Sequence, residues 1–278
     1  MPNIPYPPPR PLSVGEVLDL TFRIYRVSVI SCLLFASLGA LANWLPNFYL
    51  AAHGASTPAA LIQGQGSGGY AAVTVVALVL ALVFSGAVVL RQYHIAAGQG
   101  VGGELGAALR RLPALIGLLL LIALALIGAA ALIGAAFLLS GIARIAAAVV
   151  LALPLLYILV AVFCSMTIML VTPTRPLEAL RRSRRLVSGN FWRLTLVLTV
   201  GGIVLMVIYF MTASVAGFVI GVFGHGDLAV ITATLAVVGI AVAGLATPFY
   251  TALSLAVFGD LSVRREGTDL AQRIGATA

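Results

Sequence analysis

The residues able to do chemistry in this chain are crowded into one stretch. Residues 174–193, TRPLEALRRSRRLVSGNFWR, hold six of the sixteen arginines and sit between two long apolar runs. Pro176 suits the first turn of a helix, Glu178 its positive end, and Gly189-Asn190 its stop. Ala179, Leu180, Ser183, Leu186 and Val187 then share one side, and Arg181, Arg182, Arg184 and Arg185 the other. Four guanidinium groups this close repel one another, and Glu178 reaches only Arg181 or Arg182. Such a face is stable only against water or anionic headgroups, where each positive side chain contributes roughly 1 kcal/mol. Arg181, Arg182, Arg184 and Arg185 are therefore the expected anionic-lipid-binding residues, on a helix lying along the inner face of a membrane. The competing reading gives these arginines only the task of fixing orientation during insertion.

The rest of the reactive inventory is thin. Of eight acids, Glu16, Asp19, Glu104, Glu178, Asp260, Glu266 and Asp269 fall mostly beside arginines. Asp227 lies two residues from His225, a metal or proton pair in one reading and a solvated turn in the other. His94, near Arg91 and Tyr93, has the side chain that titrates near neutral pH, and its plainer role is an interfacial hydrogen bond. Cys32 and Cys164 lie inside apolar runs and read as small buried hydrophobes. Nothing has the spacing of a nucleophile with its base, a metal-ligand set or a phosphate-cradling glycine loop. The expectation is a non-enzymatic chain with no catalytic, cofactor-binding or metal-binding residues.

The elements that carry these residues are set by composition. The chain has 278 residues, 62% hydrophobic and 9% charged, whereas soluble domains carry about a quarter charged residues. Six apolar stretches, near 27–50, 70–90, 114–139, 145–171, 191–223 and 228–258, each exceed or match the ~20 residues that cross a bilayer core. Trp44 and Tyr49 suit an interface, and residues 51–69 read as a flexible loop without charge. Pro154 and Pro248 predict kinks in the fourth and sixth spans. Ala213, Gly217 and Gly221 have the four-residue spacing that lets helices approach closely, as do Ala77-Ala81 and Gly239-Ala243. No acid or base falls mid-span, which argues against ion-coupled pumping.

Fifteen of the sixteen arginines fall on one side of these spans and Arg144 on the other, which places both termini in the cytoplasm. The positive charge thereby reads as orientation at a membrane rather than affinity for nucleic acid. Short amphipathic, arginine-bearing segments at 13–26, 103–112 and 176–189 precede the odd-numbered spans. In the first, Ser13 and Glu16 can cap each other's backbone, and Asp19-Arg23 is a potential i, i+4 pair. The fold class is thus an all-α integral membrane protein of six transmembrane helices with three short interfacial amphipathic helices. The three hairpins are either a threefold repeat or the ordinary consequence of three positively charged inner loops.

Two further motifs carry a resemblance. Pro11-Leu12-Ser13-Val14-Gly15-Glu16-Val17-Leu18-Asp19 opens the chain and Asp260-Leu261-Ser262-Val263-Arg264-Arg265-Glu266-Gly267 closes it, with Ala179-Leu180-Arg181-Arg182-Ser183 between them. In that order they resemble a bacterial family named for the membrane domain of some glycerophosphoryl diester phosphodiesterases. The resemblance implies a six-helix membrane domain with no activity of its own, here without paired carboxylates or metal ligands. The expected organisation is a flexible proline-rich lead-in over 1–12, a membrane domain over 13–262 and a cytoplasmic tail over 263–278. The expected place is the bacterial inner membrane. The expected partners are the bilayer's anionic phospholipid headgroups, or another membrane protein, with a permease or lipid-handling transporter as the alternative function.

Overall fold

The computed structural model describes residues 6–54, 58–136, 141–223 and 228–267, and every element among them is a helix. In chain order these are α1 (Val14–Ala52), α2 (Pro58–Gln65), α3 (Gly68–Ala96), α4 (Glu104–Arg110), α5 (Leu112–Ala136), α6 (Gly141–Val162), α7 (Ser165–Val171), α8 (Pro176–Val187), α9 (Phe191–Phe223) and α10 (Leu228–Glu266). Six stretches are long and apolar enough to cross a membrane, carried by α1, α3, α5, α6 with α7, α9 and α10. This is an all-α, multi-pass membrane protein.

Several boundaries differ from those expected. The amphipathic segment at 13–26 is no separate interfacial helix but leads into and forms the first third of α1. Its start is as expected, with Glu16 N donating to Ser13 Oγ at 3.3 Å and Ser13 N to Glu16 Oε2 at 2.6 Å. Nothing between Arg26 and Val27 stops the hydrogen-bond ladder, so the helix runs on into the span. Asp19 and Arg23 are both exposed and do not pair. The uncharged loop after the first span contains α2. Pro154 lies within α6, and the fourth span is interrupted at Phe163-Cys164, between α6 and α7.

The chain divides into two compact units. The first holds the described parts of Asp19–Arg110 and Val200–Leu253. Here glycines permit close approach. A Cβ on Gly239 would meet Trp44 at 3.0 Å, one on Gly244 would meet Ser37 Oγ at 2.9 Å, and one on Gly39 would meet Phe84 at 3.3 Å. Trp44 is thus a packing residue between α1 and α10. Ala77 and Ala81 are buried as their spacing suggests, whereas a Cβ on Gly217 or Gly221 would touch nothing among the described residues. Phe249 of α10 packs on Phe22 and Tyr25 of α1, with ring centroids 5.4 and 5.7 Å away.

The second unit holds the described parts of Pro5–Leu18, Arg111–Thr199 and Ser254–Ala278. Pro176, at the start of α8, would lie 3.3 Å from a Cβ on Gly117 of α5, and Tyr157 of α6 packs its ring against Phe191 of α9. Thr167 of α7 and Ser254 of α10 share a buried hydrogen bond of 2.6 Å. Leu120, Leu124 and Ile127 of α5 are exposed in this unit, as are Met206, Phe210 and Phe218 of α9 in the other. Large apolar side chains left outward on helices of this length suit a hydrocarbon solvent.

Exposed positions at the two ends of the spans allow the orientation to be measured. Single cysteines replacing Gln65 or Ser188, with Cys32 and Cys164 changed to alanine, should label oppositely with an impermeant thiol reagent in intact spheroplasts. Position 65 should react at once and position 188 only after permeabilisation; the reverse order would invert the arrangement read from the arginines.

Candidate functional site

The arginine-rich segment forms α8 with the expected limits. Pro176 is its first residue, Gly189 follows it at a left-handed φ of 83°, and Ala179, Ser183, Leu186 and Val187 are buried. Glu178, expected to neutralise Arg181 or Arg182, instead accepts from the Arg175 backbone N–H at 3.4 Å. Arg181, Arg184 and Arg185 are exposed, and their guanidinium groups have no protein partner among the described residues.

Arg182 differs from the other three. Its Nε and Nη2 donate to Glu266 at 2.7 and 2.6 Å, its Nη1 donates to Thr172 Oγ1 at 3.2 Å, and its charge lies 5.7 Å from the Phe258 ring centroid. The Glu266 hydrogen bonds outweigh partial burial and raise the guanidinium above its already high ordinary pKa. Arg182 is therefore a tether between α8 and the end of α10. The outward basic face is reduced to Arg181, Arg184 and Arg185.

A second node lies at the end of α10. Asp260 is 1% exposed and accepts from Leu12 N at 2.7 Å, Arg193 Nη1 at 2.6 Å and Arg264 Nε at 3.1 Å. Arg193 and Arg264 also donate to the Leu12 carbonyl. Tyr6 donates to Leu255 O at 3.1 Å, and Tyr6 and Pro8 would lie 3.0 and 3.1 Å from a Cβ on Gly259. The lead-in read as flexible from its prolines has tertiary partners over its described residues 6–12. Arg265 donates to Ser188 O just past α8.

In the other unit the only deeply buried acid among the described residues is Glu104, 2% exposed. Burial opposes its charge, but its own backbone N–H, Arg91 and the Gly102 N–H outweigh that and hold the carboxyl below its ordinary range. Arg91 Nη2 lies 3.3 Å away, while Nη1 donates to Ser31 O at 2.9 Å and the guanidinium covers the Phe35 ring at 4.6 Å. His94 Nδ1 is 3.8 Å from Glu104 and forms no hydrogen bond. One residue along α3, buried Gln92 donates to Ser28 Oγ at 3.0 Å and Pro248 O at 2.8 Å, and accepts from Thr251 Oγ1 at 2.6 Å.

Among the described residues no three His, Cys, Asp or Glu side chains gather as a metal would require. His225 and Asp227 lie outside the described residues, as do Asp269 and Arg273. Comparison with protein-family models, curated proteins and solved structures finds no match. The functional reading therefore rests on this chain's own geometry. Sequence reasoning missed Gln92, and it left Asp260 and Arg193 unpaired. One signal was available: Ala108-Leu109-Arg110-Arg111 and Ala179-Leu180-Arg181-Arg182 are the same four letters. In each, the alanine is fully buried, the first arginine is exposed and the second bonds to protein, Arg111 donating to Met169 O at 3.2 Å.

The two carboxylate nodes give separate predictions. Asp260→Ala strands two arginines in a mostly buried site and should cost about 3 kcal/mol in reversible unfolding in mixed micelles, whereas Glu266→Ala, at a more open pair, should cost about 1 kcal/mol or less.

Glu104 titrates at a lower pH folded than unfolded, so its ionised form stabilises the fold above the ordinary carboxylate range. That contribution disappears as pH falls through its lowered folded value. Glu104→Gln should lower the thermal midpoint at neutral pH and flatten its acid-side decline; an unchanged decline would remove Glu104 as its source.

Proposed function

We propose that this is a non-enzymatic, multi-pass protein of the bacterial inner membrane whose α8 binds anionic phospholipid headgroups through Arg181, Arg184 and Arg185. The observation that carries the reading is the charge balance around α8. Every described acid in its unit is already engaged: Glu16 by Arg10 and Ser13, Glu178 by the Arg175 N–H, Asp260 by Arg193 and Arg264, and Glu266 by Arg182. Three outward cations on a single turn and a half are left to be compensated from outside the described protein. A guanidinium supplies a planar fork of donors suited to phosphate oxygens. Exposed Leu177 and Trp192, the latter 76% exposed, flank the basic turn in sequence with side chains suited to the headgroup boundary.

On this reading both termini face the cytoplasm, where the anionic leaflet lies. The resemblance to the membrane domain of glycerophosphoryl diester phosphodiesterases stays a proposal of shared architecture, resting on the quoted motifs. The alternative, a permease or lipid-handling transporter, draws on Pro248 and the buried polar groups beside it. Those groups are hydrogen-bonded to one another.

Replacing Arg181, Arg184 and Arg185 together by glutamine leaves the packed face of α8 intact. The variant should lose about 3 kcal/mol of headgroup attraction at most, and less at high salt. Native mass spectrometry should show reduced retention of phosphatidylglycerol and cardiolipin with topology unchanged. Equal retention by both proteins would reduce the three arginines to an orientation signal.

A further inference from the structure

The interruption between α6 and α7 lies within the fourth apolar stretch, Val150–Val171, and is buried: Ala161, Cys164, Ser165 and Thr167 are all covered. In an uninterrupted helix the Ala161 carbonyl would accept from the Ser165 N–H and the Val162 carbonyl from the Met166 N–H. Here the chain tightens at Phe163, whose N–H turns back to Val160 O at 3.3 Å, and the ladder resumes with Ile168 N donating to Cys164 O at 2.9 Å. The Val162 carbonyl is met by Ser165 Oγ. The Ala161 carbonyl is met from outside the span, by Ser183 Oγ of α8 at 2.6 Å, with Ser183 itself fully buried.

The neighbouring residue of α8 takes hold beyond the break. Arg182 Nη1 donates to Thr172 Oγ1 at 3.2 Å, and that hydroxyl donates to Ile168 O at 2.6 Å. Ser183 thus holds the last turn of α6, before the break, and Arg182 the C-terminal end of α7, beyond it. Backbone that leaves the helical ladder at membrane depth persists only where protein or enclosed water satisfies it. If α8 lifts, the Ala161 carbonyl, three residues before the fully buried Cys164, loses its partner.

We propose that α8 is the plug of this broken span, with Ser183 as its latch, and that anionic lipid on the outer face of α8 holds the plug closed. The proposal rests on the headgroup reading for its lipid dependence, whereas the latch rests on the geometry of Ser183. A ligand that binds docked α8 better than lifted α8 shifts the equilibrium toward the docked form by that difference in affinity. Lipid on Arg181, Arg184 and Arg185 would do so without touching the break.

Cys164 is a native reporter of this opening. With Cys32→Ala as background, the full chain is placed in nanodiscs of phosphatidylcholine alone or mixed with phosphatidylglycerol, and the N-ethylmaleimide rate at Cys164 is measured. The rate should be several-fold lower with phosphatidylglycerol. Adding inorganic phosphate to phosphatidylcholine discs should not reproduce the protection; if it does, the regulator is a soluble anion and the lipid assignment is overturned. Ser183→Ala should raise the rate about tenfold in both disc types, the equivalent of one buried carbonyl losing its partner. The Arg181, Arg184 and Arg185 glutamine variant, whose packed face is untouched, keeps the test open should Ser183→Ala not fold; it should react equally fast in both disc types. Retained lipid discrimination in that variant overturns the coupling. An unaltered rate in Ser183→Ala overturns the latch even where lipid retention by the arginines holds, and loss of retention alone with Cys164 still protected separates binding from plugging.

Discussion

A chain this apolar folds where no solvent can repair a missing hydrogen bond, and that constraint organises its polar residues. At the break after α6 and at Leu12, where the backbone leaves the helical ladder, side chains distant in sequence answer it. Inside α10 the Pro248 carbonyl is met by Gln92 of α3, whose own amide oxygen is met in turn by Thr251. In the other unit Ser183 answers the break after Val162. Both groups of the Leu12 peptide, outside any helix, are taken by Asp260, Arg193 and Arg264. Each case spends a buried side-chain dipole or ion pair, whose removal would cost more than its net gain in water suggests.

Arginine chemistry explains how a chain with twice as many bases as acids meets this demand. Where carboxylates are scarce, main-chain carbonyls serve as acceptors. Arg91 reaches Ser31 O, Arg111 reaches Met169 O, and Arg265 reaches Ser188 O. A guanidinium can bind a carboxylate and a carbonyl together because its five donors point in several directions within one plane. Arg193 does so with Asp260 and Leu12, and Arg91 with Glu104 and Ser31. A lysine at these positions would present one compact charge and could not span the same partners. Some arginines therefore knit helix ends together, whereas Arg181, Arg184 and Arg185 of α8 are exposed with no protein partner among the described residues.

The parts legible in the sequence were those fixed by local pattern. Six apolar runs of membrane-crossing length give six spans, and α9 begins and ends where the run from Phe191 to Phe223 does. The limits of α8 follow from Pro176 and Gly189, and its buried face from the spacing of Ala179, Ser183 and Leu186. What escaped depends on partners far along the chain. No proline or glycine marks Phe163-Cys164, because the break is stabilised by a serine on another helix. Arg182 belongs to the basic face by helical period, yet Glu266, 84 residues on, draws it inward. Asp260 reads as a polar residue just past a span, yet it is buried, with the lead-in returning to it at Leu12 and Arg193 reaching it from α9.

The same reasoning ties the two faces of α8 into one free energy. A helix of twelve residues is marginal alone, and like charges at i, i+3 and i, i+4 weaken it further. α8 therefore owes its existence to docking: the burial of Ala179, Leu186 and Val187, the Ser183 hydrogen bond and the Arg182–Glu266 pair. Those contacts hold together the fourth span's interruption and also keep Arg181, Arg184 and Arg185 arrayed on one outward side. Undocking would disperse the cations and uncover the break in a single event. An anionic surface that favours the arrayed cations must then favour the closed span, with no separate pathway between them. The proposed coupling follows from one short helix having too little stability of its own to do either task without the other.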